Sequence, residues 1–320
     1  METKNEEACL KIRSTRATIA AGTRLYLSNF RRIFRITWLP ALLCAIVSAL
    51  YYQTMISATV KLQSALTQIV HGPTGQGNTM QGLTDYLLQS GVSLLNLIVS
   101  ILLMAYIFYL LSRHRQEDSI PYPPRFVTKP DGRSLMRTVA AAIVWTVAFV
   151  IAFALPAVVV FFGAAIKSMT TMALGALLML ILILALLIPL TYPTMRYVTT
   201  RDTRLFDLLG KGCVQGLRYW GYIFSVLFVV ALMTTIILAV TMLPTIILLS
   251  ANMKAHAGVA IGDPLGMPSY MGWLSFLVFT LSGFIQAYIL IASFMPLYYM
   301  AGSIEQQEIQ RNETKKDTLH

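Results

Sequence analysis

The stretch "LGALLMLILILALLIPL", residues 174–190, decides the fold. It lies in an uncharged segment that runs from Met172 to Met195. A helix rises about 1.5 Å per residue, so about 20 apolar residues cross the roughly 30 Å of hydrocarbon in a bilayer. The segment therefore predicts a transmembrane helix.

Five further segments share this length and lack Asp, Glu, Lys, Arg and His. They are Thr37 to Ser57, Val92 to Ser112, Val139 to Phe162, Gly221 to Ser250 and Met271 to Ala301. The whole chain of 320 residues is 56% hydrophobic and 12% charged, where soluble domains carry about 25% charged residues. We expect an all-α polytopic membrane protein with six transmembrane helices in three hairpins.

The basic residues predict the orientation of these helices. Of the 25 Lys and Arg residues, 22 fall in the segments that share a side with the N-terminus, and only Lys61, Lys167 and Lys254 fall opposite. Because Lys and Arg concentrate on the cytoplasmic side, both termini are expected in the cytoplasm. The net charge of +11 is then explained by orientation and by attraction to anionic phospholipid headgroups, worth about 1 kcal/mol per nearby basic residue. Nucleic acid is not an expected partner.

A basic, aromatic phrase precedes two of the spans. "GTRLYLSNF" at 22–30 aligns with "GLRYWGYIF" at 216–224, so that Gly22 matches Gly216, Arg24 matches Arg218 and Tyr26 matches Trp220. From Thr18 to Ile36, apolar residues and arginines alternate at spacings near three and four, which is typical of a helix lying in the membrane interface. Arg24, Tyr26, Arg218 and Trp220 are predicted interfacial anchors. A partner-binding or lipid-sensing surface is the alternative for these amphipathic helices.

The chain divides by composition into three parts. Residues 1–36 are a predicted cytoplasmic N-terminus with an amphipathic interfacial helix, residues 37–301 the six-helix transmembrane domain, and residues 302–320 a polar cytoplasmic tail. The first apolar segment comes after 36 polar and basic residues, so no cleavable signal peptide is expected.

Two short strings recur within the spans. "LPAVVVF" at 155–161 resembles "LPTIILL" at 243–249, and "PLTY" at 189–192 resembles "PLYY" at 296–299. These matches favour a third and fourth helix related as a hairpin to the fifth and sixth, with the first two helices a more diverged copy. Chance similarity between short apolar strings is the competing explanation.

Few polar or strained positions lie inside the spans. Pro189 and Pro193 are candidate hinge residues, because each removes a backbone hydrogen bond; the alternative is a kink that only helps curved helices to pack. Asn96 and Gln286 are candidate intramembrane polar contacts. They either bond across helices, at about 0.6–2 kcal/mol each, or bind a substrate.

Recognisable catalytic chemistry is absent from the sequence. It holds no GxxxxGK[ST] phosphate loop, no HExxH, no GxSxG and no paired carboxylates, and Cys9, Cys44 and Cys213 lack the CxxC spacing of zinc sites. His71 and His256 stand alone. We expect no cofactor, no metal and no enzymatic activity.

The run "RDTRLFDLLGKGCVQGLRYWGYIFSVLFVVAL", residues 201–232, with the basic lead-in and the prolines near helix ends, resembles bacterial inner-membrane proteins of the YciC-like and glycerophosphodiesterase membrane-domain type. The resemblance implies a multi-pass protein of the bacterial inner membrane. It brings no catalytic residue with it.

Three functions remain open at this point. The first is a non-enzymatic role in envelope organisation, as a scaffold, a membrane-protein partner or a homo-oligomer. The second is a transporter or permease-like subunit for an apolar or lipidic substrate, suggested by the repeated hairpins. The third is a membrane-embedded enzyme acting on lipid, for which Asn96, Gln286, Tyr192 and Tyr298 are the candidate residues.

Overall fold

A computed structural model of the chain describes residues 9–71, 79–117, 131–200, 203, 205, 208–260, 268 and 270–317. Regular structure in these ranges is helical throughout. The α-helices are α1 Thr15–Ser28, α2 Phe30–His71, α3 Thr79–Glu117, α4 Gly132–Ala165, α5 Met169–Leu182, α6 Ile188–Thr199, α7 Cys213–Arg218, α8 Trp220–Thr241, α9 Leu243–Ala260 and α10 Met271–Asp317. A π-helical segment, Ile183–Leu187, joins α5 to α6, and a second, Leu208–Gly212, precedes α7.

The expectation of an all-α polytopic protein is confirmed. Six helical stretches are long and apolar enough to cross a membrane, with a mean hydropathy between 2.0 and 2.9. They are Phe30–Ile56, Leu87–Gln116, Gly132–Ala165, Met169–Thr199, Trp220–Thr241 and Met271–Asp317. The protein is an integral, multi-pass membrane protein.

The predicted interfacial helix from Thr18 to Ile36 is shorter in the structure. It is replaced by α1, which ends at Ser28, and the residues from Phe30 onward belong to the first spanning helix. Asn29 is the C-cap residue of α1, and its backbone N–H and its side-chain Nδ2 both donate to the carbonyl of Leu25, at 3.3 and 3.2 Å. The helix therefore ends before most of the predicted segment's arginines, which belong to α2.

The predicted fifth span, Gly221 to Ser250, is also divided. The apolar helix α8 ends at Thr241, and α9 begins at Leu243. Pro244 explains the break, because proline has no backbone N–H and fits the first turn of a new helix better than the interior of an old one.

The turn between α4 and α5 has a defined geometry. The N–H of Ser168 donates to the carbonyl of Gly163 at 2.9 Å, and the N–H of Lys167 donates to that of Ala164 at 3.1 Å. This pair of bonds is the Schellman arrangement, which places its central residue in the left-handed region. Lys167 occupies that position with a φ of 52°.

The chain forms two compact units. The first contains Met1–Ile36, Met104–Met233 and Ile291–His320, and the second contains Thr37–Leu103 and Thr234–Leu290. In the second unit, Ala49, Ile56 and Phe279 form a buried cluster, with the Tyr52 ring packed edge-on to Phe279 at 5.7 Å between centroids. The predicted division at residues 36 and 301 stays a prediction.

Candidate functional site

Charged and polar side chains of the first unit form a contact network at one end of α3, α6 and α10. We call it the polar network. Its members are Cys9, Arg13, His114, Arg115, Tyr192, Arg196, Gln215, Arg218, Tyr298, Tyr299, Ser303, Glu305 and Glu308. Three basic segments that the sequence assigned to one side of the membrane contribute to it.

Glu305 joins three helices. Its carboxylate accepts a hydrogen bond from Arg115 Nη2 of α3 at 2.6 Å and lies 3.9 Å from Arg196 Nε of α6. The Arg115 and Glu305 side chains keep only 13% and 15% of their surface exposed. When an ion pair has lost most of its water, each charge depends on the other, because removing one member leaves a poorly solvated charge.

Glu308 lies three residues further along α10, on the same side of the helix. Its Oε1 accepts from Arg218 Nη1 of α7 at 3.0 Å. Burial, together with a hydrogen bond to Glu308, raises the pKa of the neighbouring Tyr219. Two carboxylates on one face of α10 thus hold cations from three other helices.

The segment before α1 is bound to α10 through Arg13. The Arg13 backbone N–H donates to Ser303 Oγ at 3.0 Å, and its guanidinium lies 4.7 Å from the centre of the Tyr299 ring, a cation–π distance. Cys9 packs against Gly302, where an added Cβ would lie 2.7 Å from the Cys9 Sγ. Burial raises the pKa of the Cys9 thiol. Burial raises the pKa of Cys213 as well.

Two buried tyrosines, Tyr192 and Tyr298, belong to the same polar network. The Tyr192 hydroxyl donates to Gln215 Oε1 at 3.5 Å, and Arg196 Nη1 donates to the same oxygen at 3.3 Å. Tyr298 Oη lies 3.1 Å from His114 Nδ1. Tyr192 and Tyr298, the candidates for lipid chemistry, are 0% and 1% exposed, and their hydroxyls bond to other side chains.

The basic, aromatic phrase and the PLxY string each occur twice in the sequence, and in the structure each copy of the phrase contacts one copy of the string. Gly22 of α1 lies against Pro296 of α10, and Gly216 of α7 lies against Pro189 of α6. A Cβ on either glycine would come closer than 3.0 Å to the proline, a distance that side chains do not reach. The glycine of each basic phrase therefore packs on the proline of one PLxY string, a contact that the alignment alone did not predict.

Pro189 also explains the position of Trp220. In a π-helical turn the carbonyl of residue i accepts from the N–H of residue i+5, so Leu184 would pair with residue 189. Proline has no N–H, and Trp220 Nε1 donates to the Leu184 carbonyl instead, at 2.8 Å. Pro193 lies inside α6 and is buried. The hinge role of these prolines stays a prediction.

The four predicted interfacial anchors have different surroundings. Arg24 is exposed and lines a cavity, whereas Arg218 is paired with Glu308. Tyr26 packs edge-on to Phe30 at 5.6 Å between ring centroids, and Trp220 stacks on Phe224 at 5.2 Å. Their anchoring role stays a prediction.

Asn96 and Gln286 lie in the second unit and are not members of the polar network. Asn96 Oδ1 accepts from Ser48 Oγ of α2 at 3.1 Å, and Gln286 Nε2 contacts Met242 Sδ at the break between α8 and α9. A third pair, Asn252 Nδ2 donating to Ser275 Oγ at 2.8 Å, was not predicted from the sequence. The two carboxylates of α10 were not predicted either, although their spacing of three residues directly after a predicted span is a usable signal.

The cavity beside α1 has a volume of about 310 Å³. Its lining includes Lys11, Arg13, Arg24 and Tyr299, with the remainder from Ile12, Ser14, Ala17, Ala20, Ala21 and Leu25.

Over the described part of the chain, no group of three or more His, Cys, Asp or Glu residues is arranged to hold a metal ion. Comparisons with known protein families, curated proteins and solved structures yield no match for this chain.

Proposed function

We propose that this protein is a non-enzymatic scaffold of a bacterial inner membrane, with both termini in the cytoplasm. On this proposal the polar network lies at the cytoplasmic end of the helices. There it holds α1, α7 and the helical C-terminal part of α10 as a rigid surface for a membrane-protein partner or for a second copy of the chain.

The proposal rests on the ion pairs that the polar network forms between helices. Glu305 and Glu308 face Arg115, Arg196 and Arg218, so that the ionisable side chains connect helices to one another. A pump or a proton-coupled carrier would instead place an ionisable group where it faces a pathway through the membrane. An internally paired network supports a fixed architecture.

The transporter alternative requires a path between the spans. The cavity described above is lined by the segment before α1, by α1 itself and by one residue of α10. In the second unit, the two candidate polar residues contact neighbouring side chains, Asn96 that of Ser48 and Gln286 that of Met242. These observations favour the scaffold over the carrier.

Site-specific photocrosslinking in the native membrane tests the proposal. Benzoylphenylalanine would replace Leu27 of α1 and Ile309 of α10, which are 66% and 39% exposed. Val158 of α4, 69% exposed within a span, serves as the control. We expect a discrete protein adduct, either a partner or the chain itself, from the first two positions and only lipid adducts from Val158.

Two results would contradict the proposal. One is lipid adducts alone at Leu27 and Ile309, as at Val158. The other is activity of the purified protein: release of product from radiolabelled phospholipid would show an enzyme, and movement of a fluorescent lipid between the leaflets of proteoliposomes would show a transporter.

A further inference from the structure

The cavity beside α1 is strongly asymmetric in charge. Three of its lining residues, Lys11, Arg13 and Arg24, are cations, and no acidic side chain lines it among the residues that the structure describes. Its volume of about 310 Å³ lies at the lower end of the roughly 300–1,000 Å³ found for small-molecule sites. The cavity is therefore large enough for a small anionic group and complementary to it in charge.

The cations are held at different depths. Arg13 is buried, and its backbone N–H donates to Ser303 Oγ. Its guanidinium lies over the Tyr299 ring, and Nη1 donates to the carbonyls of Cys9 and Lys11, at 3.3 Å each. Lys11 and Arg24 are exposed and lie at the edge of the cavity. A pre-positioned guanidinium is the side chain best suited to a phosphate, because its planar donors match the geometry of phosphate oxygens.

The rest of the lining is apolar. Ala17, Ala21 and Leu25 are spaced four residues apart and so share one face of α1, while Ile12 contributes from the segment before it. A site that joins cations to an apolar wall suits an amphiphile, with its anion against the cations and its hydrocarbon along the helix.

We propose that this cavity binds a phosphate-bearing anion, supplied by the headgroup of an anionic phospholipid. Recognition rests on Arg13 at the base and on Lys11 and Arg24 at the edge, and the alanine face of α1 accepts the glycerol and the first acyl carbons. A specific site differs from general attraction between basic residues and the membrane. If the site exists, lipid affinity depends on the cations that line the cavity and not on other basic residues of the same helices.

Native mass spectrometry of the full-length protein tests this assignment. The protein in a non-ionic detergent is titrated with phosphatidylglycerol or with phosphatidylcholine, and bound lipid is counted. The test variant is K11Q/R24Q. The matched control is R16Q/R31Q, which removes the same charge from exposed positions nearby that do not line the cavity.

We expect phosphatidylglycerol to bind the wild type and the control equally well. Each cation near the lipid is worth about fivefold in affinity, so K11Q/R24Q should bind about 25-fold more weakly. Equal weakening in both double variants would overturn the proposal, because it would show only general attraction. Equal binding of the two lipids by the wild type would overturn it as well.

A second variant leaves the charges in place. A20L fills space at a lining position that is exposed, and it should weaken phosphatidylglycerol binding while leaving the thermal unfolding midpoint unchanged. If A20L and K11Q/R24Q both bind phosphatidylglycerol as tightly as the wild type does, the proposed site is refuted.

A parallel titration with glycerol phosphate and inorganic phosphate identifies the source of the anion. Binding of these soluble anions alone would contradict the lipid assignment, and lipid binding alone would support it.

Discussion

Gly216 lies directly against the backbone of Pro189, and the pair Gly22 and Pro296 repeats this contact in the same unit. In both cases a helix that precedes a span packs on the proline of a PLxY string. The first pair joins the helix before the fifth span to the fourth span, and the second joins the helix before the first span to the last span. Close approach of backbones at small residues is the usual way for membrane helices to gain packing energy.

A methyl group at either glycine is therefore expected to destabilise the protein. G22A and G216A should each lower the free energy of unfolding by about 1–3 kcal/mol, the cost of overpacking. Unfolding in detergent micelles, followed by circular dichroism, gives the measurement. G221A is the control, because an added Cβ at Gly221 meets nothing within 4 Å. Equal effects of G216A and G221A would contradict the packing.

Among the acidic residues, Glu305 is the one whose substitution is expected to lower the free energy of unfolding most. E305M should cost about 3 kcal/mol, because it leaves two cations without their carboxylate. The double variant R115M/E305M should be less damaging than E305M alone, since it removes one of the stranded charges. E313Q, a change at an exposed position of α10, should stay within about 0.5 kcal/mol of the wild type. A double variant at least as unstable as E305M alone would contradict this prediction.

The hydrogen bond from Trp220 to Leu184 depends on Pro189. W220F should cost about 1–3 kcal/mol, because it leaves the Leu184 carbonyl without its donor. P189A supplies a backbone N–H, so W220F should be less costly in the P189A background by at least about 0.5 kcal/mol. A double-mutant cycle on unfolding free energies measures this coupling. Strict additivity of the two changes would show that the proline does not create the need for Trp220.

Lys167 is expected to be a site of stabilisation. Its left-handed backbone suits glycine better than lysine, so K167G should raise the free energy of unfolding by about 0.5–1 kcal/mol. K254G removes the same charge from an exposed position inside α9, where glycine should cost about 1 kcal/mol. Opposite signs for the two substitutions in thermal unfolding are the expected result, and destabilisation by both would contradict the turn geometry.

The spans could be predicted from the sequence because they are local. Insertion of about 20 apolar residues depends on their own transfer free energy, and all six segments proved helical. The breaks were harder to predict. The pattern of charged and apolar residues does not show that Asn29 ends one helix or that Pro244 lies in the first turn of another.

The polar network could not be predicted because its partners are far apart in the chain. Arg115 and Glu305 are 190 residues apart, and only packing decides which cation meets which carboxylate. The glycine and proline motifs were visible as repetitions, but nothing in an alignment shows that one motif packs on the other. The polar tail after residue 301 likewise gave no sign that α10 continues to Asp317.

Cysteine labelling in sealed, right-side-out membrane vesicles tests the central claim most directly. In a chain whose three native cysteines are replaced, K167C lies in the turn between α4 and α5, and K316C and R16C lie near the two ends. The account predicts that a membrane-impermeant maleimide labels K167C in intact vesicles and labels K316C and R16C only after permeabilisation. Labelling of K316C or R16C in intact vesicles, or protection of K167C, would contradict six spans with their basic end in the cytoplasm.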